Sequence, residues 1–225
     1  AVFFSRGGYG MLKIIDKVDF SVLKKNPKWY VGFSDITVLH LWLNKNFNMV
    51  TIHGEMPVNY SNSLKTSLTY SSLHGTLFGV PEDIIWESSG LRQEDAEGEI
   101  VGGNLSLIYS LIGTKGEPET KGRILFIEDV GEYYYHLDRM LTSLKLAGKL
   151  KDLSALIAGG MNKMEETSLP WGKSPQEIIS DIVSDYKYPV YFNFPAGHIN
   201  DNRAFYIGNK ARLNTVGSLT TLSYS

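Results

Sequence analysis

Hydrophobic and polar positions alternate in short blocks along the first part of the chain. Apolar runs at residues 1–5, 28–33 and 49–52 are short and bounded by glycine, proline or asparagine, which predicts buried strands. Over residues 36–43, apolar residues recur on nearly every side of a helical period, which predicts a buried helix, and a second helix is predicted over 11–18. Strands that alternate with helices through short links favour a parallel sheet covered by helices.

The rest of the chain begins with a polar segment and continues with many short strands. Residues 60–77 are rich in serine and threonine and are predicted to be helical, whereas the acidic stretch 90–98 is predicted to be an exposed link. The later pattern predicts strands over 123–128, 155–159, 188–193, 204–207 and 218–223, with helices over 133–147 and 175–186. We therefore predict an α/β fold with an N-terminal parallel-sheet α/β domain (1–60), a linker region (61–98) and a C-terminal mixed α/β domain rich in short strands (99–225).

Composition narrows the possible functions without identifying one. The chain has 225 residues, a hydrophobic content of 43%, a formal net charge of −2 and no cysteine. This balance favours neither a nucleic acid nor a membrane surface as a partner, and it excludes a cysteine nucleophile and disulfides. The sequence also lacks a metal-ligand spacing and a phosphate-binding glycine loop, so we expect no metal and no cofactor.

Ser34 interrupts two apolar segments in the stretch YVGFSDITVLH, residues 30–40. A serine between a buried strand and a buried helix matches the sharp turn that exposes the nucleophile of α/β hydrolases, although the usual G-x-S-x-G pattern is absent. The alternative is that Ser34 only caps the helix, as serine often does.

A serine nucleophile needs a base and an orienting carboxylate, and the sequence offers candidates for both. His198 lies in the turn FPAGHIND directly after a predicted strand, where catalytic groups are often placed, but an exposed loop histidine is equally consistent with this position. Glu128 ends the apolar run ILFI and Asp129 follows it. Because side chains alternate along a strand, we expect only one of these two acids to face a cleft.

Six ordered stretches together resemble the LD-carboxypeptidase family of serine peptidases. They are SRGGYG (5–10), NPKWYVGFSDITVLH (26–40), HGEMP (53–57), GGNLSLIYSLIGT (102–114), ILFIEDVGEYYYHLDRML (124–141) and AGHINDN (196–202). The resemblance implies a Ser–His–Glu triad at Ser34, His198 and Glu128, with Asp129 outside it. It also implies an active site between the N-terminal domain and the C-terminal domain.

The resemblance further implies an activity and a setting. Family members typically cleave the amide before a C-terminal D-alanine of murein tetrapeptides, during cell-wall recycling in the cytoplasm, and commonly form homodimers. A related branch hydrolyses a peptide–nucleotide antibiotic and confers immunity to it. Family members usually have additional chain before the RGGYG segment, so we expect the N-terminal sheet to be incomplete here. A non-catalytic protein that binds murein peptides is therefore an alternative to the enzyme.

The remaining substrate contacts are expected around Ser34. The backbone N–H of Asp35 and an N–H of the Gly7–Gly8 turn are candidates for holding the oxyanion. Arg6 could bind the terminal carboxylate of a peptide through paired hydrogen bonds, or could form a structural salt bridge instead. Asn104 and His53 are weaker candidates for substrate contacts.

Overall fold

The computed structural model of the protein describes residues 1–60 and 68–224. Its strands are β1 (Val2–Phe3), β2 (Tyr30–Gly32), β3 (Thr51–His53), β4 (Ile84–Glu87), β5 (Ala96–Asn104), β6 (Ile124–Val130), β7 (Ala155–Asn162), β8 (Val190–Tyr191), β9 (Phe205–Ile207), β10 (Lys210–Val216) and β11 (Leu219–Tyr224). Its α-helices are α1 (Thr37–Phe47), α2 (Leu68–Leu77), α3 (Leu105–Ser110), α4 (Tyr134–Leu146) and α5 (Pro175–Ile182). Single 3₁₀ turns occur at Met11–Lys13, Ser21–Lys24, Ser34–Ile36 and Pro57–Asn59.

The first sheet has the strand order β1-β2-β3-β9. Strands β1, β2 and β3 are mutually parallel, as the alternation of short strands and helices predicts, and β9 pairs antiparallel with β3. Strand β9 comes from the segment predicted to form the C-terminal domain, so the N-terminal sheet also contains residues distant in sequence.

The second sheet is mixed and has the order β4-β11-β10-β5-β6-β7-β8. Strands β5 to β8 are parallel, whereas β4, β11 and β10 are antiparallel to their neighbours. The α/β fold with a parallel N-terminal sheet and a mixed C-terminal sheet is thus confirmed. Helix α2 and strand β4 lie within the segment predicted as a linker, and the division into domains stays a prediction.

Helix α1 joins the two sheets through the largest hydrophobic core. Val38 and Leu41 of this helix are buried in one cluster with Val101 of β5, Ile127 of β6 and Leu137 of α4. Because the apolar side chains surround the helix, as expected from their period, α1 can pack against the second sheet while its first turn follows β2. The residues at the start of α1 are therefore fixed relative to the ends of β5 and β6.

Some local predictions differ from the structure. The helix predicted over 11–18 is a single 3₁₀ turn, Met11–Lys13, because only Ile15 of this segment is buried while Ile14 and Val18 remain about half exposed. The link predicted over 90–98 already contains the start of β5, and β10 was not predicted because polar residues alternate with its buried Ala211 and Leu213. Of the helix predicted over 60–77, residues 61–67 lie outside the described residues and the remainder forms α2.

No helix in the described ranges combines the length and the apolar character needed to cross a membrane.

Candidate active site

Ser34 occupies a strained turn between β2 and α1. Its φ angle is 63°, in the left-handed region that costs a residue with a side chain about 1–3 kcal/mol. The N-cap residues of the 3₁₀ turn and of α1 are Phe33 and Ile36, so Ser34 is the N-cap of neither. Its Oγ lies 3.2 Å from Nε2 of His198 instead. The capping alternative is therefore not what the structure shows for this hydroxyl group.

His198 connects Ser34 to a buried carboxylate. Nδ1 of His198 lies 2.7 Å from Oε2 of Glu128, and the backbone N–H of His198 donates to the same oxygen at 3.1 Å. Since a carboxylate only accepts, Nδ1 is assigned as the protonated nitrogen, which leaves Nε2 free to accept the Ser34 hydroxyl proton. Glu128 is fully buried, whereas the His198 side chain is 22% exposed. The imidazole thus lies between the buried acid and the accessible serine.

The pKa of His198 reflects two opposing influences. Burial lowers the pKa of this imidazole, but the hydrogen bond and charge of Glu128, with smaller contributions from Asp129 and Glu55, outweigh burial and raise it above its usual 6.5. The site therefore stabilises the imidazolium, as a base that must accept a proton during a reaction requires.

Gly197 allows the His198 loop to approach Glu128. Its φ angle is 106°, and a β-carbon at this position would lie 2.7 Å from Oε2 of Glu128 and 2.8 Å from its Cβ. Both the backbone conformation and the space require glycine here.

Asp129 faces away from His198, as the alternation along β6 predicts. Its carboxylate accepts hydrogen bonds from Nδ2 of Asn104 and from the backbone N–H groups of Ser106 and Val130, each at 2.9 Å. Burial, with the nearby charge of Glu128, raises the pKa of Asp129 to about 7. Asn104 is only 5% exposed, and its amide oxygen also accepts from Ser106 Oγ at 2.7 Å. This geometry places Asn104 against Asp129 rather than in an open cleft.

The glycine turn after β1 lies directly over Ser34. A β-carbon on Gly7 would come within 2.9 Å of both Cβ and Oγ of Ser34, so only glycine allows this approach without movement. Oδ2 of Asp35 accepts the backbone N–H of Met11 at 3.0 Å, which ties the far side of the turn to the start of the 3₁₀ segment. Gly8 and Arg6 are exposed, and Arg6 forms no ion pair with any residue of 1–60 or 68–224.

His53 does not line an open cleft. It is 1% exposed, stacks on Phe205 and lies 3.3 Å from Oδ1 of Asn202 through its Nε2. Burial, together with the nearby His40, lowers the pKa of His53 to about 3, so it is neutral near pH 7.

Asn202 and Glu55, which were not predicted as site residues, connect the His198 loop to the first sheet. Oδ1 of Asn202 accepts the N–H of Gly197 at 2.9 Å, and its Nδ2 donates to Oε2 of Glu55 at 3.3 Å. Asn202 belongs to the stretch AGHINDN, but only the packed structure shows that it reaches residues almost 150 positions away.

A cleft of about 720 Å³ opens beside His198. It is lined by Phe33, Glu55, Asn59, Val130, Asn162, Lys163, Gly197, His198, Ile199 and Asn200. Within the described residues, no group of three or more histidine and acidic side chains is placed to hold a metal ion. The arrangement is suited to nucleophilic attack by a serine, assisted by a histidine and an acid, on a ligand held in this cleft.

These features define an α/β protein with a hydrolase-type Ser–His–Glu arrangement near the meeting point of two sheets. Residues 1–54 match the family model of the LD-carboxypeptidase N-terminal domain, and residues 97–213 match that of the LD-carboxypeptidase C-terminal domain. The chain belongs to the LD-carboxypeptidase family, which confirms the resemblance found in its motifs.

Curated relatives support the same assignment. The chain is 34% identical to a Bacillus subtilis protein named probable murein peptide carboxypeptidase, over 96% of this chain and 69% of the relative. It is 29% identical to the murein tetrapeptide carboxypeptidase of Pseudomonas aeruginosa, over 95% of this chain and 72% of the relative. The chain therefore spans about 70% of the length of these two relatives.

Solved structures share the fold. The muramoyltetrapeptide carboxypeptidase of Oxalobacter formigenes superposes with a TM-score of 0.88 at 29% identity, over 99% of this chain and 79% of that one. The microcin C7 self-immunity protein MccF superposes with a TM-score of 0.86 over 99% of this chain and 75% of that one. Because the identity to MccF is 20%, this second likeness shows the fold alone.

Proposed function

We propose that the protein is a serine-type LD-carboxypeptidase that hydrolyses the amide before a C-terminal D-amino acid, D-alanine in particular, of murein tetrapeptides. The single observation that supports this most strongly is the hydrogen-bonded series from Ser34 through His198 to the buried Glu128. The names of two relatives in the same family supply the substrate class. The homodimeric state and the cytoplasmic location that the resemblance implies are part of the proposal.

In the proposed reaction, Oγ of Ser34 attacks the carbonyl carbon of the last amide. Nε2 of His198 takes the hydroxyl proton, and Glu128 stabilises the imidazolium through Nδ1. The oxyanion of the tetrahedral intermediate accepts hydrogen bonds from the backbone N–H of Asp35 and from an N–H of the Gly7–Gly8 turn.

The second half of the reaction releases the products. His198 gives its proton to the leaving amine, the C–N bond breaks and the free D-amino acid departs, leaving an ester on Ser34. A water molecule then loses a proton to His198 and attacks this ester, and the shortened peptide leaves as the serine hydroxyl is restored. The proton is thus returned at the end of each cycle, and no cofactor is consumed.

The direct test is release of D-alanine from a synthetic murein tetrapeptide, followed by mass spectrometry for wild type and for Ser34→Ala. We expect the substitution to lower kcat by about 10⁴-fold or more, because the members of such a triad act as a unit. Thermal unfolding of both proteins serves as the control for folding. A Ser34→Ala protein that retains activity within tenfold of wild type would show that another group is the nucleophile.

A further inference from the structure

The proposed reaction fixes the side of the site on which the leaving group must lie. His198 has to protonate the leaving amine, so this nitrogen must come within hydrogen-bonding distance of Nε2. In a C-terminal amino acid, the carboxylate carbon is two bonds, about 2.5 Å, from that nitrogen. The free carboxylate of the substrate must therefore lie on the His198 side of Ser34, and a cation that binds it should be found there.

Lys163 is the cation on this side. It lines the cleft beside His198 and also an adjoining groove of about 520 Å³, and the two cavities share Lys163 and Ile199. Apart from His198, it is the one basic residue among the described residues that line these two cavities. Its side chain is exposed and forms no ion pair with the described parts of the chain.

The backbone of Lys163 is held at a fixed position relative to His198. Its φ angle is 50°, and its N–H donates to Oδ1 of Asn162 at 2.9 Å. Nδ2 of the same Asn162 donates to the carbonyl oxygen of His198, also at 2.9 Å. The Asn162 side chain thus links the His198 loop to the backbone of Lys163.

The remaining charges in this region would oppose an anionic ligand. Glu55 lines the same cleft, and the buried carboxylate of Glu128 contacts His198. Without a cation, a carboxylate placed here would be repelled by these groups and would lose part of its hydration. Arg6 follows the strand that leads to the Gly7–Gly8 turn, on the expected oxyanion side, and is less well placed for the leaving group.

We propose that Lys163, rather than Arg6, binds the free C-terminal carboxylate of the substrate and so makes the enzyme a carboxypeptidase. This inference rests on the proposed function, and it specifies which end of the peptide occupies the region around Lys163. A carboxylate on an internal side chain of the peptide has the same chemistry, and the experiment distinguishes the two.

The test compares a murein tetrapeptide as the free acid, as the C-terminal amide and with its internal carboxylates amidated. For wild type, we expect C-terminal amidation to raise KM about tenfold or more, the scale of a lost charge-assisted hydrogen bond. Lys163→Met should raise KM for the free acid by a similar factor and should show no further loss on the C-terminal amide. Lys163→Arg should recover most of the affinity, and Lys115→Met, an exposed lysine elsewhere, should behave as wild type.

Several results would overturn the assignment. One is a Lys163→Met protein that matches wild type on every peptide or loses affinity only for internal carboxylates. Alternatively, Arg6→Met could be the variant that is insensitive to C-terminal amidation. Calorimetric binding of the same peptides to Ser34→Ala, with and without Lys163→Met, separates this inference from the proposed reaction. Binding that depends on Lys163 without cleavage by wild type would contradict only the reaction, whereas failure to bind would contradict both.

Discussion

At the scale of single residues, Glu128 and Asp129 show how two adjacent acids acquire different surroundings. Both are buried, but Glu128 contacts His198, whereas Asp129 accepts hydrogen bonds from Asn104 and two backbone N–H groups. The two carboxylates thus have separate hydrogen-bond partners, although the pairing of β6 with β7 is irregular between Ile127 and Asp129. The two acids should therefore respond differently to the same kind of substitution.

Glu128→Gln is expected to impair catalysis and to lower the pKa of His198. Burial remains, but the charge that raises this pKa is gone, so the rise of kcat/KM with pH should move to lower pH. In wild type this rise should have its midpoint above 6.5, because the base acts in its neutral form. The amide also favours the wrong imidazole tautomer, which should reduce kcat roughly 10³–10⁴-fold. A pH–rate profile and an NMR titration of the imidazole would measure both effects.

Asp129→Asn is expected to affect stability more than catalysis. An amide has one accepting oxygen, so its NH₂ group would replace either the oxygen that accepts from Asn104 and Val130 or the oxygen that accepts from Ser106, at a cost of about 1–3 kcal/mol for each unpaired group. Denaturant titration should show this loss, while kcat stays within about tenfold of wild type. If Asp129→Asn were inactive and Glu128→Gln active, the roles of the two acids would be reversed.

The sequence indicates the proposed catalytic residues better than it indicates the residues that hold them in place. Ser34, Glu128 and His198 could be selected because each lies at the end of a predicted strand within a family motif. His53 lies at a strand end as well, yet it is buried against Phe205 from a distant segment. A strand of three residues is too short for its hydrophobic pattern to show whether His53 is buried. The contacts of Asn202 depend on packing between segments far apart in sequence, which no local period encodes.

At the scale of elements, the glycine turn after β1 and the start of α1 must fit closely. Gly7→Ala should place a methyl group 2.9 Å from Oγ of Ser34, displacing either Ser34 or the turn. We expect kcat/KM to fall by about 10²-fold, because a shift of about 1 Å at reacting groups has effects of this size. Gly10→Ala is the matched control, since a β-carbon there meets nothing within 4 Å. Equal activities of the two variants would show that the turn adapts without cost.

The best-predicted elements are those in which apolar residues predominate. The buried helix α1 and the apolar strand β6 have clear signals, and both are present. Strand β10 alternates buried and exposed residues over KARLNTV, and its polar half obscured the signal. Only the first turn of the helix predicted over 11–18 is present. Too few of the apolar residues in this segment are buried to stabilise a longer helix.

At the scale of the whole molecule, buried histidines connect stability to pH. Burial lowers the pKa of His40 to about 4, although its hydrogen bond to the Gly32 carbonyl partly opposes this. Since the pKa in the unfolded chain is about 6.5, the unfolded state binds one more proton at this site between roughly pH 6.5 and 4. The free energy of unfolding therefore decreases as the pH falls, by up to about 1.4 kcal/mol per pH unit for each such proton.

His40→Gln should reduce this acid sensitivity while keeping a donor for the Gly32 carbonyl. Urea titrations at several pH values from 7 to 4.5 should give a shallower dependence of the free energy of unfolding than in wild type. His74→Gln is the control, because His74 is exposed on α2. An unchanged slope in His40→Gln would mean that the pKa of His40 is the same in the folded and unfolded states.

The pairing of β9 with β3 also has a consequence during synthesis on the ribosome. The edge of β3 forms early but is covered only by Phe205–Ile207, roughly 150 residues later. At a synthesis rate of about 5–20 residues per second, the edge of β3 remains unpaired for roughly 8–30 s. During that time it can pair with a wrong strand. His198 emerges only a few residues before β9, so the imidazole reaches Ser34 when the last strand closes the first sheet. We therefore expect the Ser34–His198 contact to be absent from the nascent chain until β9 has paired with β3.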